Sequence, residues 1–474
     1  MAPAYDLTWS SGPGGEHSSS VLGHGKNITR EHLIKMSLKK SRVPTTRIGR
    51  LVRLGFTAGE IAVGGVAESV RRLRGATVDD AYNVFLTATN AQKLARQLAG
   101  MRGAAMKIGQ MLSMEGADIL PREFTDALAV LRDSADTMPL TQIRRVMGRE
   151  YGKGWEDNFI DFDYMPVSAA SIGQVHRVQT IDGRDLALKI QYPGVAKSIN
   201  SDVDNMAMFL RLVKLLPVEF DITGIIDEAK RQLHQEADYI QEAEYLRTYH
   251  RLVRDEERFV VPKVHEDLTT KRILAMDYVE GVPLESLGEE GVAQELRDSV
   301  GELLEHLVFR ELFEFRTMQS DPNFANYLYQ PDTDRIVLLD FGSTVTFEKE
   351  FTDKYARIAR ALIDEDDGAA RHYAESIGYL SPGDSDEYAE RLLDMIRLIC
   401  EPIRYDEIYD FGTSDLFARG RDAGMEMMLG DLSEYKVPPP ETMFLHRKLV
   451  GSYMLCHRIG ARVNVQKLIL PFLF

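Results

Sequence analysis

One lysine, two aspartates and an asparagine carry the chemistry this chain could do. Lys189 lies in the strand-like run Leu186-Ala187-Leu188-Lys189-Ile190. Asp321 and Asn326 stand five apart in Asp321-Pro322-Asn323-Phe324-Ala325-Asn326. Asp340 opens Asp340-Phe341-Gly342 directly after the apolar run Ile336-Val337-Leu338-Leu339. A strand lysine held by a carboxylate can bridge the α- and β-phosphates of ATP. A carboxylate at a strand end and a nearby amide offer hard oxygen ligands to Mg²⁺ on the same phosphates, so Asp340 and Asn326 are the candidate metal ligands. Asp321 is the candidate to orient or deprotonate an attacking group. Each residue alone is commonplace; the order and spacing are not.

Lysine, then Asp-x4-Asn, then Asp-Phe-Gly is the order of parts in a protein kinase. Two features depart from it. Ser168-Ala169-Ala170-Ser171-Ile172-Gly173-Gln174-Val175 stands where a kinase has its glycine-rich phosphate loop. Glycine works there because bare backbone N–H groups close on phosphate; alanine adds a Cβ and narrows the backbone range. Ala169, Ala170, Ser171 and Gly173 are therefore expected at the nucleotide, in an altered pose. In addition, Gln319-Ser320 replaces the His-Arg that precedes the catalytic aspartate. The backbone of Met276, Asp277, Tyr278 and Val279 is expected to meet adenine. Lys189 also needs a carboxylate partner from a helix expected over 222–250, and Glu236, Asp238 and Glu242 are the candidates. On one helix Asp238 and Glu242 share a face, whereas Glu236 and Asp238 stand about 200° apart. Glu242 is the favoured partner.

These residues must be positioned by a small β-rich part and a larger helical part. Gln174 to Thr180 and Asp185 to Gln191 flank Asp182-Gly183, a hairpin signal. Helices are expected over 198–216, 222–250 and 291–315, strands over 258–264, 271–279 and 336–339, and mostly helix over 350–474. Upstream, Leu94, Leu98, Met101, Ala105, Ile108 and Leu112 form one apolar stripe on a helix over 78–116. Further helices follow over 122–150, with Pro139 as a break. The fold class is α+β: a two-lobed, protein-kinase-like fold with an N-terminal helical extension. The expected parts are a disordered, basic arm (1–41), a small-residue segment (42–77), the helical extension (78–155), a kinase-like N-lobe with an insert (156–280) and a C-lobe (281–474).

Composition sets limits. The 474 residues carry 57 bases and 73 acids, a net charge of −16, which excludes general nucleic-acid binding. Two separated cysteines, Cys400 and Cys456, exclude a zinc site and suit a reducing compartment. The charge is uneven: from Lys26 to Arg53 nine bases face one acid, Glu31, so this segment is +8 and the remainder −24. A basic arm on an acidic body suggests contact with anionic lipid or an acidic partner. The stretch 54–67 is apolar and small, with Gly55 and Gly59 at G-x-x-x-G spacing, yet too short to span a bilayer; it reads as interfacial or helix-packing. No secretory or transit signal is read at the N-terminus.

Together these residues resemble the UbiB/ADCK family of atypical kinase-like ATPases, over roughly 42–470. The family's K-x-G-Q motif matches Lys107, Gly109 and Gln110, and its E-x-D motif matches Glu236 and Asp238. Its alanine-rich loop matches except that Ser168 replaces the first alanine. Lys189, the Asp-Pro-Asn loop, Asp-Phe-Gly, Pro193-Gly194-Val195 and Leu445-His446-Arg447-Lys448 match as well. The catalytic loop is closest to the branch that includes mitochondrial ubiquinone-biosynthesis proteins. The resemblance implies that Lys107 and Gln110 fold over the active site and engage Glu236 and Asp238, blocking a protein-substrate groove. It also implies a modest ATPase using ATP and Mg²⁺, stimulated by membrane lipid and by ubiquinone-precursor-like phenols. Such a protein supports ubiquinone biosynthesis by acting on lipid intermediates or on a complex of biosynthetic proteins.

The expectation is a Mg-ATP-dependent ATPase with anionic membrane lipid, ubiquinone-precursor-like lipids and other ubiquinone-biosynthesis proteins as partners. A homodimer is a further expected association. Phosphotransfer to a protein or small molecule is one alternative; a lipid-binding scaffold with a nucleotide switch is the other. The expected location is the bacterial cytoplasm, peripheral at the inner membrane, with the mitochondrial matrix as the alternative.

Overall fold

The computed structural model describes residues 101, 103–105, 107–109, 137–212, 223–321, 323–381, 383–429 and 440–474. The basic arm, the small-residue segment, most of the 78–116 helix and Gln110 lie outside them. The chain divides into two compact units. One holds 1–109, 121–176 and 190–220; the other holds 110–120, 177–189 and 221–474.

In the first unit, residues 103–105 and 107–109 are helical, and Met101, Ala105 and Ile108 of the apolar stripe are all buried. Lys107, between them, is buried as well. Pro139 starts helix α1, Leu140–Glu150, because its fixed φ suits a helix entry and it needs no N–H partner. Strands β1 (Phe159–Phe162) and β2 (Ser168–Ala169) both pair with β3 (Gly173–Thr180). Ser168 pairs with Val175 and Ala169 with Gln174, and Ala170 N donates to Gly173 O at 2.9 Å. The alanine-rich loop is thus a tight hairpin turn. No left-handed backbone position falls within it among the described residues, so alanine fits where a phosphate-wrapping loop would need glycine.

Two polar side chains hold that hairpin from below. Gln174 Oε1 accepts from Met138 N at 2.8 Å, so its Nε2 is the donor toward His176 Nε2 at 2.6 Å. His176 must then carry its proton on Nδ1, which donates to Asp163 O at 2.7 Å. Burial pushes the imidazole pKa below its ordinary value, and the Asp163 carbonyl only partly opposes this. His176 is neutral and structural.

The second unit contains the remainder of β3 and the lysine-bearing half of β4 (Asp185–Gln191), joined through Gly183 at φ 87°. After β4 the chain returns to the first unit as helix α2, Val195–Leu212. The expected single helix over 222–250 is two: α3 (Thr223–Glu236) and α4 (Tyr239–Leu252). Asp238 makes the break. Its backbone is non-helical and its carboxylate accepts from Gln241 N, capping α4. Glu236 ends one helix and Asp238 precedes the next, so the angular comparison that assumed one helix does not hold.

Strand β5 (Phe259–Val260) is shorter than the expected 258–264, whose far end keeps one bridge from Val264 to Met276. Strand β6 (Ile273–Asp277) neighbours β4. Strand β7 (Val282–Pro283) pairs with β9 (Tyr327–Gln330), which pairs with β10 (Arg335–Leu338). Helix α5 (Gln294–Phe309) continues into a π-helical turn, Arg310–Glu314, and then β8 (Thr317–Gln319). Strand β8 pairs with β11, Thr344–Thr346. The C-terminal third is mostly helical. Helix α6 (Lys349–Ile363) packs with α7 (Asp367–Ile377) and α8 (Asp386–Ile399) around Leu362, Ala374 and Leu393. A short helix α9 (Glu401–Arg404) precedes α10 (Leu416–Leu429) and α11 (Pro440–Ile459). Leu445 of α11 joins Leu312, Met318 and Phe347 in a second apolar cluster at β8. The mixture of helix and sheet is the expected α+β class.

Replacing Gln174 with alanine leaves Met138 N and His176 Nε2 buried and unpaired. The cost is about 2 kcal/mol or more. Urea unfolding should show a lower midpoint at unchanged slope; an unmoved midpoint would mean these bonds contribute nothing net.

Candidate active site

The second unit brings Lys189, Glu242 and Asp340 together. Lys189 Nζ donates to Glu242 Oε1 at 2.8 Å, Glu242 Oε2 at 3.0 Å and Asp340 Oδ2 at 3.1 Å. Its charge also lies 5.4 Å from the centroid of the Tyr239 ring. The side chains of Lys189 and Glu242 are 8% and 1% exposed, against 37% for Asp340. The lysine is therefore clamped from inside by one carboxylate and bridged on the open side to the other. Every residue of β4 from Leu186 to Gln191 is buried, Lys189 among them, and capping by Asp238 fixes the first turn of α4, on which Glu242 sits.

Desolvation works against all this charge. Burial lowers the Lys189 pKa, yet the Asp340 and Glu242 charges overcome it and hold it well above its ordinary value. Burial pushes Glu242 up to about 7, with the Lys189 charge opposing and Asp340 adding to the rise.

Asp340 sits in the left-handed region at φ 55°, a conformation aspartate adopts more readily than most residues. Its Oδ1 accepts from Gly342 N at 3.2 Å. A Cβ on Gly342 would stand 3.3 Å from that oxygen and 3.7 Å from Glu242 Oε2, so glycine keeps the turn tight against the cluster. The same Cβ would lie 3.6 Å from Glu236 Cα, which places the end of α3 beside the Asp-Phe-Gly turn.

Backbone bonds fix the catalytic loop to Asp340. Asn326 Nδ2 donates to Asp321 O at 3.2 Å, and Leu339 N donates to Asn326 O at 2.8 Å. Gln319 Nε2 donates to both Asp321 O at 2.8 Å and Asp340 O at 3.1 Å. Arg447, on α11, donates through Nε to Ser320 O at 2.6 Å, through Nη2 to Ser320 Oγ at 2.8 Å and through Nη1 to Gln232 Oε1 on α3 at 2.8 Å. Burial lowers the Arg447 pKa, while the Asp321, Glu228 and Glu236 charges oppose that. Gln319, Ser320, Gln232 and Arg447 are not among the candidate site residues of the sequence. Gln319 stood out only as a departure from His-Arg, and Arg447 lies 127 positions from Ser320.

For the expected adenine segment, Asp277 N is donated to Lys263 O at 2.9 Å and Tyr278 N to Asp185 O at 3.0 Å. Those two donors are spent within the protein, so Asp277 and Tyr278 retain only carbonyls for a base. The Tyr278 ring carries Arg177 at 4.1 Å. Ala169, Ala170, Ser171, Gly173 and Lys107 belong to the first unit. Among the described residues, no group of three or more His, Cys, Asp or Glu could hold a metal by itself. One carboxylate (Asp340) and one amide oxygen (Asn326) fit an ion that keeps waters and phosphate oxygens as its other ligands, which is how Mg²⁺ is usually held.

A strand lysine paired with a helix carboxylate, and an Asp-Phe-Gly turn tied to an Asp-x4-Asn loop, define a kinase-like enzyme. The family model of the ABC1 atypical kinase-like domain matches residues 130–374, and the chain belongs to that family, whose chemistry uses ATP. It is similar to the atypical kinase COQ8B, mitochondrial, of Rattus norvegicus, with 35% identity over 91% of this chain and 81% of the rat protein. It is equally similar to the atypical kinase COQ8, mitochondrial, of Saccharomyces cerevisiae, with 35% identity over 94% of this chain and 88% of the yeast protein. Among solved structures, Rv3197 of Mycobacterium tuberculosis, determined with erythromycin, is 26% identical. It covers 80% of this chain and 94% of its own, at a TM-score of 0.56.

The raised Glu242 carboxyl gives a pH test. A group whose folded pKa exceeds its unfolded value near 4.5 stabilises fully below that value and loses its contribution as pH rises through about 7. The wild-type melting temperature should therefore fall more between pH 5 and pH 8 than that of Glu242→Gln. Parallel profiles for the two proteins would show that Glu242 titrates normally.

Proposed function

We propose that this chain is a Mg-ATP-dependent ATPase that supports ubiquinone biosynthesis at a membrane surface. The single observation that carries the reading is the Lys189–Glu242–Asp340 cluster, with two buried members and one open to solvent. Lys189, held by Glu242, positions the phosphates. Asp340 and Asn326 hold Mg²⁺, which neutralises phosphate charge when bound. Asp321 stands by the γ-phosphate and orients the attacking water, its loop fixed by Gln319 and Asn326. Ala169, Ala170, Ser171 and Gly173 cover the phosphates, and the backbone from Met276 to Val279 meets adenine, through carbonyls at Asp277 and Tyr278. Lys107 and Gln110 engage Glu236 and Asp238 and limit access for a protein acceptor. The five-part division drawn from the sequence belongs to this reading.

The relatives' names support ubiquinone biosynthesis and the mitochondrial alternative for location. The bacterial placing rests on the sequence reading alone. Among the described residues no helix is long and apolar enough to cross a membrane. The charge of the basic arm and the apolar character of the 54–67 stretch make these the lipid-contacting parts in this reading. Anionic lipid, ubiquinone-precursor-like phenols, the other biosynthetic proteins and a second copy of the chain are the partners of this reading.

Phosphate release with and without anionic liposomes plus a phenolic lipid tests the activity directly. Asp340→Asn should abolish both release and the thermal shift given by Mg-ATP, because the amide loses the charge that holds the ion. An undiminished shift would put the metal elsewhere.

Reversal of Lys35, Lys39, Lys40 and Arg42 to Glu should weaken sedimentation with anionic vesicles, each base near the surface being worth about 1 kcal/mol. ATP binding should survive. Unchanged sedimentation at low salt removes the arm from the membrane reading.

A further inference from the structure

A second buried charge pair lies next to the catalytic loop. Lys448, on α11, places Nζ 2.8 Å from Glu311 Oε2, and the two side chains are 4% and 1% exposed. The contact is one of charge, not an aligned hydrogen bond. Lys448 Nζ also donates to Tyr327 Oη at 3.3 Å. Burial lowers the Lys448 pKa, and the Glu311 charge overcomes that and raises it.

The other oxygen of Glu311 faces the active site. Glu311 Oε1 accepts from Gln319 N at 3.3 Å, and Tyr249 Oη lies 2.8 Å from it. The Tyr249 ring packs against Phe341 at 4.4 Å between centroids. Gln319 is the residue whose side chain reaches the carbonyls of both Asp321 and Asp340. Glu311 lies in the π-helical turn that ends α5, a geometry that rotates a side chain away from its α-helical direction.

We propose that Lys448 and Glu311 are positioning residues: the pair orients one carboxylate oxygen onto Gln319 N, and Gln319 then sets the separation of Asp321 from Asp340. A buried ion pair usually adds little stability compared with apolar residues of the same size, while breaking it by removing one partner is costly. This pair leads through one acceptor to both active-site carboxylates, so its function is geometric. The proposal rests on the ATPase reading for its catalytic consequence only.

That logic dictates the variants. Lys448→Met alone strands the Glu311 charge and is strongly destabilising whatever the pair does for the site. The double variant Lys448→Met with Glu311→Met removes both charges and keeps bulk, so no buried charge is stranded and the melting temperature should fall only by the few degrees that an unpaired buried N–H costs. It also removes the acceptor for Gln319 N. Turnover should drop about 100-fold, the scale of a misplacement near 1 Å, with KM for ATP nearly unchanged. Lys448→Met with Glu311→Gln is equally uncharged but keeps an acceptor oxygen, and should recover to within about threefold of wild type. Hydrogen exchange supplies a readout independent of activity: amides over 317–321 should lose protection in the Met/Met variant alone. A wild type that hydrolyses no ATP sinks the ATPase reading and leaves exchange to decide this one. The proposal is overturned if Met/Met keeps wild-type protection at 317–321, if it loses protection throughout the chain, or if the Gln variant is no better than Met/Met.

Discussion

Everything at this site depends on keeping a lysine charged inside protein. Taking an ammonium out of water costs several kcal/mol unless a carboxylate stands against it with good geometry. Glu242 supplies that at 2.8 Å with almost no exposure, and Asp340 supplies a second charge from the open side. The arrangement leaves one net negative charge over three groups, and burial resolves part of it by raising Glu242. The break between α3 and α4 follows from the same need. A continuous helix would carry Asp238 and Glu242 on one face, whereas capping by Asp238 starts a new helix whose first turn carries Glu242 to the lysine.

The catalytic loop is held in a different way. Neighbouring side chains bond to its backbone carbonyls. Gln319 takes the carbonyls of Asp321 and Asp340, Asn326 takes Asp321 O, and Arg447 takes Ser320 O. Two amides and one guanidinium thereby hold the backbone carbonyls of Ser320, Asp321 and Asp340. The guanidinium also reaches Gln232 on α3, so the helix that ends at Glu236 and the loop that starts at Asp321 share one anchor. Where a kinase spends His-Arg in the loop itself, this chain takes an arginine from α11.

The alanine-rich loop also follows simple backbone rules. Its turn closes with Ala170 N on Gly173 O and uses no left-handed position, so nothing in it demands glycine. Gln174 and the neutral His176 fasten the following strand to Met138 and Asp163. The Gln-Val-His part of the motif is thus framework.

Sequence alone determined the parts and their order. Period-2 runs around Asp182-Gly183 gave the β3–β4 hairpin to the residue at most of its ends, because hairpin geometry is local. Pro139 gave the start of α1 for the same reason. The spacing of Lys189, Asp321, Asn326 and Asp340 was legible because Lys189 sits in one arm of a local hairpin and the other three sit in short turns or just past a strand, forms set by near neighbours. What only the tertiary structure decided involves long separations. Glu242 is already the favoured partner in the sequence, but the break between α3 and α4 at Asp238 is not marked by propensity. The spent N–H groups of Asp277 and Tyr278, and the bonds from Arg447 and Lys448 across more than a hundred residues, have no local signature. Such contacts depend on which buried polar groups find one another after the core closes, and period and propensity carry no information about that.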